Sequence, residues 1–417
     1  MLIQFTVENF YSLKNETTLS LSAGKDKEHE ECLHDFNNEK ILPTVAIYGA
    51  NAAGKTNIIK AITAAVMTIR TSNDRQFNEP LYWIVPFAFD HETINKPSRF
   101  DFIFTNNEKK YQYGFIADNV QIYEEYLYEF KTARDTLIFE RTNVNQYKFN
   151  RQYKKILNEI VDKNTPNKLF LATATSWNAE ITRDAYMWFA NKIDTYSDKI
   201  REEANLLEII ENENEVIKPF MKTLLKNADI NIFDYDIESK SSNEYPPFLQ
   251  VVDEYKDQIQ AVRKSFKVST KHKIINKNGD EEIYRLPLSM ESDGTNQLFF
   301  LCPIIKHALD YGKTIFVDEL DNSLHPLLMD YIIDIFNNKD SNPNSAQLIF
   351  NTHSTKELTL DIFRRDQVYF VEKDDNSGIT DLYSLDEFSV RKTENINKGY
   401  LQGRYGAIPT IGSENLL

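Results

Sequence analysis

The stretch Gly49-Ala-Asn-Ala-Ala-Gly54-Lys55-Thr56 sets two glycines, a lysine and a threonine in the spacing G-x-x-x-x-G-K-[ST]. The glycines let backbone N–H groups close around phosphate oxygens, where the start of a helix adds positive potential. Lys55 would reach the β- and γ-phosphates, and the Thr56 hydroxyl is a hard oxygen ligand suited to Mg²⁺. Gly49, Asn51, Gly54, Lys55, Thr56 and Asn57 are therefore the candidate nucleotide-binding residues. A chance match in a strand–turn–helix is the competing explanation. It requires two of only 12 glycines in 417 residues to fall at the right spacing beside Lys-Thr.

Three further stretches carry residues that would complete such a site. In Thr314-Ile-Phe-Val-Asp318-Glu319-Leu-Asp321 an apolar run ends in adjacent acids. Asp318 would enter the metal shell with Thr56, and Glu319 would polarise an attacking water. Strands often end in acids, so this pattern gains force only from its coupling to the phosphate loop. Gln347-Leu-Ile-Phe-Asn-Thr-His353-Ser354 is an apolar strand that ends on a histidine. A lone histidine is most often structural, but ligands gather at the C-terminal ends of parallel strands, which would bring His353 to the γ-phosphate. The fourth stretch, Ser292-Asp293-Gly294-Thr295, lies where a helix begins, and in isolation it reads as a polar surface turn.

The elements that must position these residues follow from periodicity. Residues 2–8 and 17–22 alternate, with Ile3, Phe5, Val7, Leu19 and Leu21 facing inward, and read as two half-buried strands. ILPTVAIYG (41–49) suits a buried parallel strand. From Thr56 the spacing of Ile58, Ile59, Ile62, Ala65, Val66 and Ile69 is helical. Short alternating segments between about 84 and 150 predict an antiparallel meander. Residues 152–226 have helical spacing (Ile200, Ala204, Leu207, Ile210, Val216) without sustained heptads. Pro246–Pro247 marks a boundary, beyond which strands return at about 262–288, followed by a helix from about 294 and the strand KTIFVDEL. The expected architecture is α/β with an antiparallel β lobe and a short helical insert. Its three parts are an N-terminal lobe (1–150), a mainly helical insert (151–261) and a C-terminal lobe (262–417).

Composition narrows the class. With 41% hydrophobic and 27% charged residues the chain reads as a globular protein. It has no run of some 18 apolar residues and no signal-like N-terminus, so a cytoplasmic protein is expected. Two cysteines, Cys32 and Cys302, can build neither a disulfide framework nor a zinc site. The formal charge of −15, from 48 basic and 63 acidic residues, argues against a non-specific nucleic-acid coat.

Strand–loop–helix, Ser-x-Gly at a helix start, apolar-Asp-Glu and a terminal His occur here in the order found in ATP-binding-cassette ATPases. The chain resembles the branch of these P-loop NTPases that includes the structural-maintenance-of-chromosomes (SMC), RecF and overcoming-lysogenisation-defect ATPases. In that family a Leu-Ser-Gly-Gly-Gln/Glu loop donates its serine and glycine to the nucleotide held by a partner subunit. Ser292, Gly294 and Thr295 match its serine, second glycine and last position, while Asp293 replaces its first glycine. YGANAAGKTNIIKAI, PFAFD, ESDGT, VDELDNSLHP, FNTHS and YLQGRYGAIP look further like the abortive-infection ATPases of the RloA/AbiL type. The resemblance covers about two-thirds of the chain and skips the helical stretch; the family's glutamine loop has no evident counterpart.

The resemblance implies ATP hydrolysis with Mg²⁺ in a head-to-tail dimer with two interfacial sites. It also implies a sensor or regulator role in bacterial antiphage defence, beside a separately encoded and often nuclease-like effector. The alternatives are a RecF-like DNA-repair ATPase and a non-catalytic scaffold locked by ATP.

Three features fall outside this scheme. Glu372, Asp374 and Asp375 read better as the turn of a β-hairpin than as a metal cluster, and the residues after His353 are too few for a TOPRIM nuclease. The basic run 263–277 could be a nucleic-acid or partner patch, but lysines guarding an exposed edge strand explain it more simply. The tail YLQGRYGAIP holds more glycine around Arg404 and Tyr405 than a solvated terminus needs; docking a partner and bracing the ATPase are both open.

Overall fold

The computed structural model describes residues 1–131, 135–197, 204–228, 230–242 and 263–409. The chain divides into two units: Met1–Asp198 with His307–Asp321 and His325–Leu417, and Lys199–Lys306 with Asn322–Leu324. The Pro246–Pro247 boundary, Ile200 and the expected 261/262 junction lie outside the described residues.

The first unit contains two large sheets. One has seven antiparallel strands in the order Gln146–Phe149, Asp135–Thr142, Ile122–Phe130, Lys109–Ala117, Ser98–Asn106, Leu2–Glu8, Thr17–Ser20. The meander and the N-terminal pair predicted from alternation thus join a single sheet, with Phe5 opposite Phe102 on one side and Leu19 on the other. The expected start of the meander at 84 is too early. Residues 84–97 form a loop tied down by Asn9, whose amide donates to Thr93 O and Lys96 O (both 2.9 Å) and accepts from Phe87 N (3.1 Å). These bonds satisfy backbone groups that would otherwise seek a strand partner.

The other sheet runs Ile193–Tyr196, Thr314–Val317, Gln347–Asn351, Thr44–Gly49, Val368–Lys373, Thr380–Ser384. Its first five strands are parallel, and the last two form the expected hairpin around the acidic turn. Buried Gln347 links the two sheets. Its Oε1 accepts from Leu2 N (2.6 Å) and Thr314 Oγ1 (2.8 Å), and its Nε2 donates to Leu2 O (3.0 Å) and Leu42 O (3.1 Å).

The stretch expected as one helical insert is divided. Helices Phe170–Ser176 and Glu180–Asn191 belong to the first unit, and the strand Ile193–Tyr196 follows them and pairs with the Asp318 strand. Aromatic burial explains the placement. Trp188 stacks on Phe104 (centroids 4.3 Å apart), and Phe189 meets Phe102 edge-on at 5.1 Å. Glu125, fully buried in the antiparallel sheet, caps the first of these helices by accepting from Phe170 N (2.6 Å) and Leu171 N (2.8 Å).

The second unit holds helices Ala204–Asn212 and Asn214–Asn227 and a three-stranded sheet, Asp234–Ser242, Arg263–Ile275, Glu281–Pro287. The basic run forms the central strand of this sheet, so the edge-guarding explanation is wrong. Periodicity does not reveal a strand's neighbours. Lys271 pairs with Asp234 (3.1 Å) and Asp236 (2.6 Å), and Lys273 with Glu281 (3.2 Å), which offsets the charge of two of the run's lysines. Both cysteines are buried and free. No helix among the described residues is long and apolar enough to cross a membrane.

Candidate functional site

The phosphate loop joins the Thr44–Gly49 strand to the helix Lys55–Arg70, and its backbone is bent as anion binding requires. Gly54 (φ +111°) and Ala52 (φ +62°) both lie in the left-handed region. A Cβ on Gly54 would also come within 2.5 Å of Thr380 Oγ1. Thr380 Oγ1 lies within hydrogen-bond distance of both Ala53 O (2.9 Å) and Ser12 Oγ (2.8 Å), and Ser12 accepts from Asn57 Nδ2 (2.7 Å). Asn57 thus braces the loop from behind through Ser12, whereas Asn51 is exposed on the loop itself.

Lys55 is 6% exposed and donates to Gly49 O (2.8 Å) and Ala50 O (3.1 Å). Burial lowers its ammonium below the ordinary lysine range, while Asp321, Glu319 and Asp318 act in the opposite direction.

The Asp318 strand ends beside this loop. Thr56 Oγ1 donates to Asp318 Oδ1 at 3.1 Å. That separation matches neighbouring oxygens in an octahedral shell with metal–oxygen bonds of about 2.1 Å. One lysine facing three carboxylates would repel a bare triphosphate, and a divalent cation removes the conflict. Among the described residues no group of three or more His, Cys, Asp or Glu could hold a metal by itself. The donor set therefore fits Mg²⁺ carried in with phosphates, since that ion keeps few protein ligands.

Asn351, fully buried at the end of its strand, orders both acids: its amide N–H donates to Asp318 Oδ1, and its Oδ1 accepts from Glu319 N at 2.5 Å. Glu319 adopts φ +51°, an unfavourable conformation for a side chain of its size and a form of strain that clusters at working sites. His353 Nε2 lies 3.9 Å from Glu319 Oε1, and both side chains are less than half exposed to solvent. Asp321 Oδ2 accepts from the backbone N–H groups of His353 and Ser354 (both 3.0 Å), which fixes the turn that presents the histidine.

The structure thus gathers Gly49, Gly54, Lys55, Thr56, Asp318, Glu319 and His353 at the ends of adjoining strands. Ser292, Gly294 and Thr295 belong to the other unit. There Ser292 is exposed and caps the helix Asp293–Tyr311, accepting from Thr295 N at 3.2 Å. A Cβ on Gly294 would sit 2.5 Å from Ser323 O, so close backbone approach also calls for glycine.

Ser12, Asn351, Thr380 and Asp321 are the positioning residues that sequence reasoning did not single out. The only available signal was an amide closing the strand before Thr352-His353. Asn351→Ala is expected to lower magnesium-dependent turnover by about 10- to 100-fold while the apo protein keeps its secondary structure, as is usual for residues that orient metal ligands. Steady-state kinetics over a magnesium titration, with circular dichroism alongside, checks this.

Beside the phosphate loop a cavity of about 970 Å³ opens between Asn51–Ala53, Phe89, the end of the Val368–Lys373 strand and the 374–379 turn. Phe89 is 75% exposed on its wall.

The model of the family described as "AAA domain, putative AbiEii toxin, Type IV TA system" matches residues 45–146 and 166–359, well over half of the chain. Similar solved structures include the SMC head domain from Thermotoga maritima, with TM-score 0.41, 13% identity, and coverage of 92% of this chain and 98% of that one. The Smc head domain with a coiled coil and joint from Pyrococcus yayanosii gives TM-score 0.43, 11% identity, and coverage of 97% and 99%. A Pyrococcus furiosus Smc head bound to the C-terminal domain of ScpA gives 0.40, 13%, 92% and 96%. No curated protein matches the chain. With the matched span running from the phosphate-loop strand through His353, the chain belongs to this AAA-domain family of P-loop ATPases.

Proposed function

We propose that the protein is an ATP-hydrolysing, ATP-dimerised regulator of a separately encoded effector, in abortive-infection defence of the RloA/AbiL kind. The observation that carries the catalytic part is the alignment of Lys55, the Thr56–Asp318 oxygen pair and strained Glu319 at the ends of adjoining strands. The defence setting rests on the family description and on the sequence resemblance.

The loop amides and Lys55 would hold the β- and γ-phosphates. Thr56 and Asp318 would be the protein ligands of Mg²⁺, which when bound would supply neutralisation of phosphate charge. Glu319 would orient water and accept its proton, and His353 would meet the γ-phosphate. Ser292, Gly294 and Thr295 would serve the nucleotide of a second copy, because an exposed hydroxyl at a helix N-terminus suits an incoming phosphate.

Mixing inactive variants tests this arrangement. Lys55→Ala and Ser292→Arg should each abolish turnover. Combined in equal amounts, they should recover about a quarter of wild-type activity, because half of the dimers pair an intact loop with an intact serine at one of two sites. A mixture as inactive as its components would sink the shared-site arrangement. Retained activity in Ser292→Arg alone would remove that residue from the site.

A further inference from the structure

The tail Tyr400-Leu-Gln-Gly-Arg-Tyr-Gly-Ala-Ile-Pro409 plays no part in the phosphate chemistry, yet it is firmly anchored. Tyr400 and Tyr405 both stack on Phe370, with centroids 5.3 and 5.7 Å away and planes within 14°. Phe370 lies on the strand that pairs with the phosphate-loop strand, opposite Tyr48. Tyr383 Oη donates to Tyr405 O (2.8 Å), Tyr400 Oη to Ala407 O (3.0 Å) and Tyr405 Oη to Glu394 Oε1 (2.8 Å), with Arg404 paired to the same carboxylate.

The path of the backbone depends on glycine. Gly403 (φ +76°) and Gly406 (φ +67°) are left-handed, and a Cβ on Gly406 would lie 2.6 Å from Tyr383 Oη. The result is to deliver Ala407, Ile408 and Pro409 to the wall of the cavity that begins at Asn51–Ala53.

We propose that the Gly403–Pro409 segment builds one wall of a nucleobase subsite and thereby sets nucleotide affinity. The inference rests on the reading of Gly49–Thr56 as the phosphate loop. A base attached to phosphates held there needs apolar surface to pack against within reach of the loop, and this cavity, whose lining mixes polar and apolar groups, adjoins it. Phe89 offers an exposed ring seated over Gly378, where a Cβ would come within 2.8 Å of the ring. Ile379 and Ile408 add apolar surface. Glu372, Asp374 and Asp375 also line the cavity, together with Lys14, Lys373 and His91. Carboxylates accept hydrogen bonds from the amine of adenine and equally from the amine and ring N–H of guanine, so these acids can meet either purine.

The test is calorimetric titration of three full-fold proteins with Mg·ATP, Mg·GTP and magnesium tripolyphosphate. They are the wild type, a truncation ending at Gly406, and Ile408→Ser, which leaves the Tyr405 anchor intact. Wild type should bind both nucleotides more tightly than tripolyphosphate. The truncation should lose about tenfold in ATP affinity, and Ile408→Ser a smaller factor, from lost apolar contact. Tripolyphosphate affinity should not change. Unaltered ATP affinity in both variants would overturn the proposal. Equal weakening for ATP and tripolyphosphate would overturn it too, by making the tail a support of the loop and no contact of the base. If wild type bound neither ATP nor tripolyphosphate, the phosphate-loop reading itself would fall, and the base subsite with it.

Discussion

Glu319→Gln is expected to bind Mg·ATP at near wild-type affinity while its turnover falls by about 10²- to 10⁴-fold, the range for loss of a positioned general base. The amide keeps the size and hydrogen-bonding reach of the carboxylate. It also leaves in place the backbone hydrogen bond to Asn351 that holds φ at +51°. What it removes is the proton acceptor. If the protein closes around ATP as a dimer, the variant should also accumulate at twice the monomer mass when ATP is present and return to monomer when nucleotide is removed. Single-turnover kinetics and mass measurement on the same sample check both points. Turnover within a few-fold of wild type would show that another group activates water, with His353, 3.9 Å away, the next to substitute. Lost turnover without a change of mass would leave the base assigned and the dimer without support.

The second large effect concerns stability. Glu125→Ala is expected to cost about 3–5 kcal/mol, the usual penalty for removing one partner of a buried ion pair. Glu125 and Arg141 are both fully buried, 3.7 Å apart. The carboxylate also accepts from Phe170 N, Leu171 N and Tyr113 Oη (3.0 Å), so the substitution strands three donors as well as removing the counter-charge of Arg141. Since whole domains are stable by only about 5–15 kcal/mol, the first unit should lose a large share of its resistance to urea. Equilibrium urea unfolding, followed by the signal of buried Trp188, reads the shift in midpoint. A change below about 1 kcal/mol would mean that water or a rearranged Arg141 replaces the contacts, and that Glu125 does not hold the sheet to its helix.

The phosphate loop could be read from sequence because its chemistry is local: eight consecutive residues determine where the amides, the lysine and the threonine point. The two acids after an apolar strand and the histidine after another were visible for the same reason, since strand ends face a common edge of a parallel sheet. Periodicity likewise sufficed for the antiparallel meander, the long helix after the loop and the hairpin around Asp374. These properties depend on neighbours in the chain.

What remained hidden depends on neighbours in space. Ser12, Thr380 and Asn351 are common polar residues with no distinguishing spacing, and they gain meaning only when the sheets bring them within 3 Å of the loop and its acids. The Ile193–Tyr196 strand is four residues long and follows a helix; its identity comes from its parallel pairing with the Asp318 strand. The basic run could not reveal whether it was an edge or a centre, because order within a sheet is a property of pairing. Glycines and tyrosines in the tail signalled order but not destination. Only the stacking of Tyr400 and Tyr405 on Phe370 decided that it ends beside the phosphate loop. Sequence alone therefore determined which groups could do the chemistry. Tertiary structure decided which groups hold them in place, because those contacts span up to 368 positions along the chain and leave no local trace.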